Sequence, residues 1–245
     1  MSSRLIEDLR SLKDVRLHPG ADASLIDTLA SRHGLLLADE HRAVLEQSNG
    51  IEAFAGYIRL FGVQTTESID ALVWNHPDCW KFAWGDRCFG YLCFAETAWG
   101  DQYAYSLDQL RAGGNIPVYF LDALSMKPEV VAPSFAAFWQ NEFVRSAKQP
   151  YDSKLREARQ RLGPLEATSN LVYVPSVLLG GTEDISNVQR MGARVAMICN
   201  GDIATQLDAG PAAGAVKAME AYVDDQGRMR LRLVWETSGG RAAPA

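Results

Sequence analysis

ADEHRAVLEQSNG, residues 38–50, is the stretch from which the fold is inferred. Val44 and Leu45 have the spacing of a buried helix face, and the closing Asn-Gly is a stop signal, so a helix is predicted over about Asp39–Ser48. The short apolar run Tyr57–Phe61 that follows predicts a strand. At this point, therefore, the chain is expected to change from helix to sheet.

The rest of the first 150 residues extends this sheet. Apolar runs separated by glycine-containing turns predict four antiparallel strands: Trp80–Trp84, Phe89–Phe94, Gln102–Ser106 and Val118–Leu121. Apolar residues at helical spacing predict four further helices: residues 3–13, a segment from Asp22 to Gly34, Thr66–Trp74, and Phe135–Ala147 behind a Ser134 cap. The expected fold class is α+β, an antiparallel sheet flanked by helices.

A boundary is predicted near residues 148–150, which divides the chain into residues 1–149, residues 150–236 and a flexible tail at 237–245. The second part is expected to be a smaller α+β unit with hairpins. A polar helix is predicted at Ser153–Leu162, followed by an extended segment at Leu171–Gly181. Asn200-Gly201 suits a hairpin turn between Val195–Cys199 and Ile203–Leu207, with a single helix as the alternative.

A second hairpin is predicted nearer the end of the chain. Met229, Leu231, Leu233 and Trp235 recur at every second residue, which is the period of a strand. The apolar run Lys217–Val223 precedes them, and Asp224-Asp-Gln-Gly227 lies between the two runs. The sequence therefore predicts two strands joined by this turn.

Charge is distributed unevenly along the chain. The net charge of −6 lies wholly in residues 1–150, which hold 13 Lys/Arg and 19 Asp/Glu, whereas the remainder holds 11 of each. An acidic surface repels phosphate backbones, so nucleic acid is not an expected partner. Either the acids form an ordinary solvated surface, or they attract a basic protein.

The expected compartment is the cytoplasm. The first ten residues, MSSRLIEDLR, carry acids among their apolar residues and lack the continuous apolar stretch of a secretory signal. No apolar run reaches the roughly 18–20 residues that span a bilayer, so no membrane association is expected. The four cysteines lack the spacing of a disulfide framework, which favours reduced thiols.

Residue patterns typical of catalysis are weak. His76, Cys79, Cys88 and Cys93 are the one metal-like cluster, but zinc sites usually show two close ligand pairs, so buried structural cysteines are favoured. No strained serine turn suggests a nucleophile, and Gly180-Gly181 lacks the lysine of a phosphate loop. No metal, cofactor or catalytic residue is expected.

Five residues of the acidic segment 67–108 are candidate partner contacts: Asp78, Asp86, Glu96, Trp99 and Asp101. Carboxylates there would attract a basic partner, and an exposed tryptophan would anchor it. Glu96 and Asp101 flank Trp99-Gly100, and two carboxylates beside an aromatic ring also occur in glycosidases. A partner-facing or solvated loop is the favoured interpretation over sugar hydrolysis.

About residues 20–147 resemble the SUKH superfamily, which includes fungal cell-wall-synthesis regulators of the Smi/Knr type and many bacterial immunity proteins. The resemblance is carried by Leu37–Leu60 with its Ser-Asn-Gly stop, by Gly90-Tyr-Leu-Cys-Phe-Ala, by Ile116-Pro-Val-Tyr-Phe-Leu-Asp, and by Ser134-Phe-Ala-Ala-Phe-Trp. This likeness implies an α+β fold without catalysis. The family often has an acidic or glycine-rich turn after Asn-Gly, and Ile51-Glu52-Ala53 departs from it.

A second resemblance concerns Leu171–Gln206, which is similar to the C-terminal domain of type VI secretion DNase-immunity proteins. It is carried by Val172-Tyr-Val-Pro-Ser-Val-Leu-Leu-Gly-Gly181 and Asn187-Val188. Together the resemblances imply an immunity protein of a polymorphic toxin–antitoxin system that binds a cognate toxin, which could be a basic nuclease. The alternative is a housekeeping or regulatory interaction scaffold. No contact residue is implied, because toxin contacts vary within the family.

Overall fold

The computed structural model describes residues 6–33, 37–113, 115–210 and 215–236. Its helices are α1 (Glu7–Arg10), α2 (Ala23–His33), α3 (Asp39–Gln47), α4 (Ala71–Trp74), α5 (Leu107–Ala112), α6 (Phe135–Phe138), α7 (Arg145–Lys148), α8 (Ser153–Leu162) and α9 (Ala193–Ala209). A 3-10 segment covers Lys81–Arg87, shorter ones cover Val177–Leu179 and Ile185–Asn187, and a π-helical segment, Trp139–Val144, joins α6 to α7.

The strands are β1 (Arg16–Leu17), β2 (Ile51–Ala53), β3 (Ile58–Leu60), β4 (Tyr91–Thr97), β5 (Gln102–Ser106), β6 (Val118–Leu121), β7 (Pro128–Ala132), β8 (Ser169–Tyr173), β9 (Val188–Gly192), β10 (Val216–Val223) and β11 (Met229–Trp235). Within the described residues, β1 to β7 form one antiparallel sheet in sequence order. Two separate hairpin sheets, β8–β9 and β10–β11, follow. The α+β prediction is confirmed.

The main core lies between this sheet and α6. Ser134 caps this helix, because its hydroxyl accepts a hydrogen bond from the Ala137 N–H. Phe135 and Phe138 from this helix pack on Phe94 of β4, with ring centroids 5.8 Å and 5.3 Å apart. His41 of α3 stacks on Phe135 at 4.5 Å. Burial lowers the pKa of His41 to about 3, so this histidine is a neutral core residue at physiological pH.

Several predicted elements are confirmed by the structure. α8, β5 and β6 match their predicted bounds, and the helix predicted at Asp39–Ser48 is α3. The hairpin predicted nearer the end of the chain is β10–β11. The helix predicted over Thr66–Trp74 keeps its last turn, α4, which begins after Asp70, whose carboxylate accepts from the Leu72 N–H. Strands β1, β2, β7 and β9 were not predicted; each has at most five residues.

The strand predicted at Trp80–Trp84 is wrong, because this stretch leads into the 3-10 segment Lys81–Arg87. Trp80 and Trp84 are both fully buried, and a separation of four residues places two side chains on one face of either a strand or a helix, so their burial does not distinguish the two. The Trp84 indole N–H donates to the Met197 carbonyl at 2.9 Å. The segment therefore carries Trp84 onto α9 and adds no strand to the sheet.

The hairpin predicted around Asn200-Gly201 is also wrong, and the alternative of a single helix, α9, is correct. Gly201 serves close packing rather than a turn, because a Cβ at this position would lie 2.9 Å from backbone atoms of Ala83. Asn200 turns its amide inward and donates to the Ala123 carbonyl at 3.1 Å. Tertiary contacts therefore override the local turn propensity of Asn-Gly.

The predicted boundary at residues 148–150 falls between α7 and α8, and the division into two domains stays a prediction. The predicted tail 237–245 and the helix stop at Gly34 lie outside the described residues. The Leu171 N–H of strand β8 donates to the carbonyl of Ala98, in the loop that follows β4, at 2.6 Å. The two parts therefore meet beside the loop between β4 and β5.

Candidate functional site

A cleft of about 360 Å³ opens where the β4–β5 loop, the β6–β7 loop, the start of α8 and the end of β8 come together. Trp99 forms one wall, stacked on Tyr173 with ring centroids 5.0 Å apart and planes inclined by 10°. The Trp99 indole N–H donates to the carboxylate of Asp152 at 2.7 Å. Asp152 also caps α8 by accepting from the Lys154 N–H, so the aromatic wall is fixed to a helix end.

The cleft is acidic. Among the described residues, its lining includes the carboxyl groups of Asp101, Asp122, Asp152 and Glu183, against one cation, Lys154. The Lys154 ammonium forms an ion pair with Glu183 and lies 5.9 Å from the centroid of the Tyr173 ring. An ammonium group belonging to the chain is therefore held at the mouth of the cleft by a carboxylate and an aromatic face.

Asp101 is half-buried and is held by two hydrogen bonds. Its carboxylate accepts from the Thr97 hydroxyl at 2.7 Å and from the Ala123 N–H at 2.9 Å. The pKa of Asp101 is raised to about 6, mainly by burial and also by the negative charges of Asp122 and Asp152, which together outweigh the lowering effect of these hydrogen bonds. The carboxylates of the cleft therefore repel one another, and a cation placed among them would relieve that repulsion.

The raised pKa predicts how stability depends on pH. A carboxyl whose folded-state pKa exceeds its unfolded value stabilises the fold below the unfolded pKa, and this contribution disappears as pH rises through about 6. In Asp101→Asn, which keeps an acceptor for Ala123, the stability relative to the natural protein should grow by about 1–2 kcal/mol between pH 4 and pH 7. Denaturant unfolding at both pH values measures this.

Asp108→Asn is the matched control, because its side chain is 94% exposed and lies after the opposite end of β5. Its effect on stability should be small and should lack the rise between pH 4 and pH 7. A stability difference for Asp101→Asn that stayed constant over this range would contradict the assigned pKa.

The five predicted contact residues do not form one surface. Trp99 and Asp101 line the cleft. Asp78 is exposed before the 3-10 segment Lys81–Arg87 and Asp86 is exposed within it, and neither lines the cleft. Glu96 is completely buried and its Oε1 lies 2.9 Å from Nη2 of Arg59, so its side chain is closed off from any partner. A glycosidase pair of Glu96 and Asp101 is therefore not formed.

The sequence analysis missed Asp122, Asp152, Tyr173 and Glu183 as cleft residues. Asp122 ends the predicted strand Val118–Leu121, and Asp152 immediately precedes the predicted helix Ser153–Leu162, so both were recognisable as element-end acids. Their proximity was not recognisable, because it depends on how residues 150–183 pack against the sheet.

The other candidate sites are structural. Burial raises the pKa of Cys88 to about 12 and that of Cys93 to about 11, so neither thiol ionises readily. Across residues 6–33, 37–113, 115–210 and 215–236, no group of three or more His, Cys, Asp or Glu side chains is arranged to hold a metal ion.

None of the helices in these ranges is long and apolar enough to cross a bilayer.

Comparisons with known proteins agree with this architecture. The model of the SMI1 / KNR4 family (SUKH-1) matches residues 20–141. The crystal structure of Atu4351 from Agrobacterium tumefaciens is similar in fold, with a TM-score of 0.55 at 10% sequence identity. That similarity covers 93% of this chain and 97% of the other, so the fold is shared beyond the SUKH region. The search of curated proteins found no match.

SUKH proteins are generally non-catalytic and are associated with immunity functions. The matched region begins just before α2 and ends within the π-helical segment, so it includes strands β2 to β7 and their covering helices. The seven-stranded antiparallel sheet of the described residues, six of whose strands lie in the matched region, is the α+β arrangement expected of this family. The chain belongs to the SMI1 / KNR4 family, SUKH-1.

Proposed function

We propose that this protein is an immunity protein, which neutralises a cognate bacterial toxin in the cytoplasm by binding it. The observation that carries the proposal is the SUKH family match over residues 20–141. A polymorphic toxin system, such as one delivered by type VI secretion, is the setting implied by the likeness of Leu171–Gln206 to DNase-immunity proteins. Binding without catalysis is consistent with the burial of Cys88, Cys93 and Glu96, because none of these three reactive side chains can reach a substrate.

The proposed partner is a basic toxin, with a nuclease as the leading candidate. The negative charge of residues 1–150 would attract a positively charged protein and speed its association. The cleft adds a localised acidic feature at which a basic side chain could be recognised. Trp99 and Asp101 are its proposed contact residues, while Asp78 and Asp86 remain candidate contacts on the neighbouring surface.

Partner capture followed by a growth assay tests this function. The tagged chain is used to capture proteins from its native organism, and mass spectrometry identifies them. At least one captured protein should stop growth when expressed alone in a neutral host, and co-expression of the chain should restore growth. Captured proteins that are harmless when expressed alone would instead support a regulatory scaffold, the function of the fungal members of the family.

A further inference from the structure

A second hollow adjoins the acidic cleft. It has a volume of about 430 Å³ and lies between the β6–β7 loop and α9, and Leu124 lines both hollows. The adjacent residues Val177 and Leu178 line the first and the second hollow, respectively. The two hollows, together called the groove, therefore lie next to each other along the seam between the SUKH region and the C-terminal part.

The two ends of the groove differ in charge. The cleft end carries the four carboxyl groups already described with Lys154 as their counter-ion, whereas Arg87, Lys127 and Asp208 line the second hollow. The Asp122 carboxylate accepts from the Leu124 N–H at 3.1 Å and from the Ser125 hydroxyl at 2.8 Å, and it forms no ion pair with a lysine or arginine of the described residues. Charge complementarity therefore favours a positive group at the cleft end.

The chain's own lysine indicates which chemistry the cleft accepts. The Lys154 side chain is 37% exposed and its Glu183 partner is 57% exposed, so this ion pair is at the surface and exchangeable. A flat guanidinium would match the site better than an ammonium. It can stack on an aromatic ring and bind one carboxylate through two N–H donors, and the cleft places the rings of Trp99 and Tyr173 beside four carboxyl groups.

We propose that this groove docks an extended segment of the partner protein, whose arginine side chain enters the acidic cleft between the aromatic wall and Asp122 and Glu183. This inference rests on the proposed function, because the partner is taken to be the toxin. The segment would run from the cleft past Leu124 over the second hollow. Binding would displace the Lys154 ammonium from Glu183.

A titration with a minimal ligand tests the cleft itself. Nα-acetyl-arginine amide is added to the ¹⁵N-labelled full chain, and the Trp99 indole N–H signal, assigned with Trp99→Phe, is followed by NMR. The expected result is a saturable shift. Nα-acetyl-citrulline amide, which has nearly the same shape without the charge, should bind at least about tenfold more weakly. Equal responses to the two compounds would overturn the proposal.

Variants separate a specific site from general charge attraction. Asp122→Asn with Glu183→Gln keeps the size of both residues and one acceptor oxygen on each, removes both negative charges, and should weaken binding of the arginine compound about tenfold or more. Lys154→Gln removes the competing ammonium and should strengthen binding about two- to fivefold. The matched control Asp108→Asn should leave binding unchanged. Equal weakening by Asp108→Asn and the double variant would overturn the proposal.

The captured toxin distinguishes this inference from the function on which it rests. If the toxin binds the natural chain and the double variant equally tightly, the groove is not its docking site and the immunity function stands. If the double variant loses about tenfold or more in affinity while Asp108→Asn does not, both are supported. If no captured protein is toxic, the immunity function fails, and docking of a toxin in the groove fails with it, whatever the titration shows.

Discussion

Replacing Arg59 with methionine is expected to destabilise the protein by about 3–5 kcal/mol, because it leaves the buried Glu96 carboxylate without its counter-ion. Arg59 is 2% exposed and Glu96 is fully buried. The guanidinium also donates to the carbonyls of Ala167 at 2.9 Å and Ser169 at 2.6 Å. Denaturant unfolding measures the loss as a lower midpoint at unchanged slope.

Two comparisons make this result interpretable. Arg111→Met removes an exposed ion pair with Asp108 and should cost less than about 1 kcal/mol. Combining Arg59→Met with Glu96→Gln removes the unpaired charge and should recover part of the loss. A cost for Arg59→Met no larger than that for Arg111→Met would contradict the role of this pair.

The same experiment bears on the domain organisation. Arg59 belongs to β3 of the SUKH region, yet its guanidinium bonds include acceptors in residues 166–170 of the C-terminal part. If these bonds couple the two parts, unfolding should proceed in one transition for the natural chain. Two separated transitions would show that the predicted domains 1–149 and 150–236 unfold independently.

The second large effect is expected for Asp202→Ala, which should cost about 3 kcal/mol and loosen the β10–β11 hairpin from α9. Asp202 is fully buried, and its carboxylate accepts from the Arg230 Nε–H at 2.8 Å and from the Leu231 N–H at 2.7 Å. Without it, the Arg230 guanidinium, 20% exposed, loses its main counter-ion and a strand N–H loses its acceptor.

Limited trypsin digestion locates this effect. Cleavage at Arg228, Arg230 and Arg232 should become faster in Asp202→Ala, because these residues lie on or beside β11. The matched control is Glu220→Ala, which removes an exposed ion pair with Arg232 on the same hairpin and should leave the cleavage rate nearly unchanged. Similar digestion of both variants would show that Asp202 does not attach the hairpin.

Local patterns were sufficient for the elements whose own periodicity is clear. Ser153–Leu162 begins after Asp152 and ends at Gly163, and both signals are local, so the helix was predicted correctly. The hairpin turn predicted at Asn200-Gly201 was wrong, because the local preference of this pair for a turn is outweighed by the packing of Gly201 on Ala83. The hairpin prediction failed where a distant contact, rather than the local sequence, determines the structure.

The candidate site was less predictable than the fold. Glu96 was expected at the surface because acids usually are, and its burial depends on Arg59, 37 residues earlier in the chain. Trp99 and Asp101 were proposed as contacts and do line the cleft. Their neighbours Asp152, Tyr173 and Glu183 come from the C-terminal part. Because the cleft is built by two distant regions of the chain, no sequence pattern within one region predicts it.

We propose that this SUKH protein neutralises its partner by binding and performs no chemistry on it. Titrating a fixed amount of the purified toxin's activity with the purified chain tests this most directly. Binding predicts that inhibition is complete at a fixed molar ratio and that the toxin regains activity when the complex is dissociated. Progressive, irreversible loss of toxin activity at chain concentrations far below that of the toxin would contradict it.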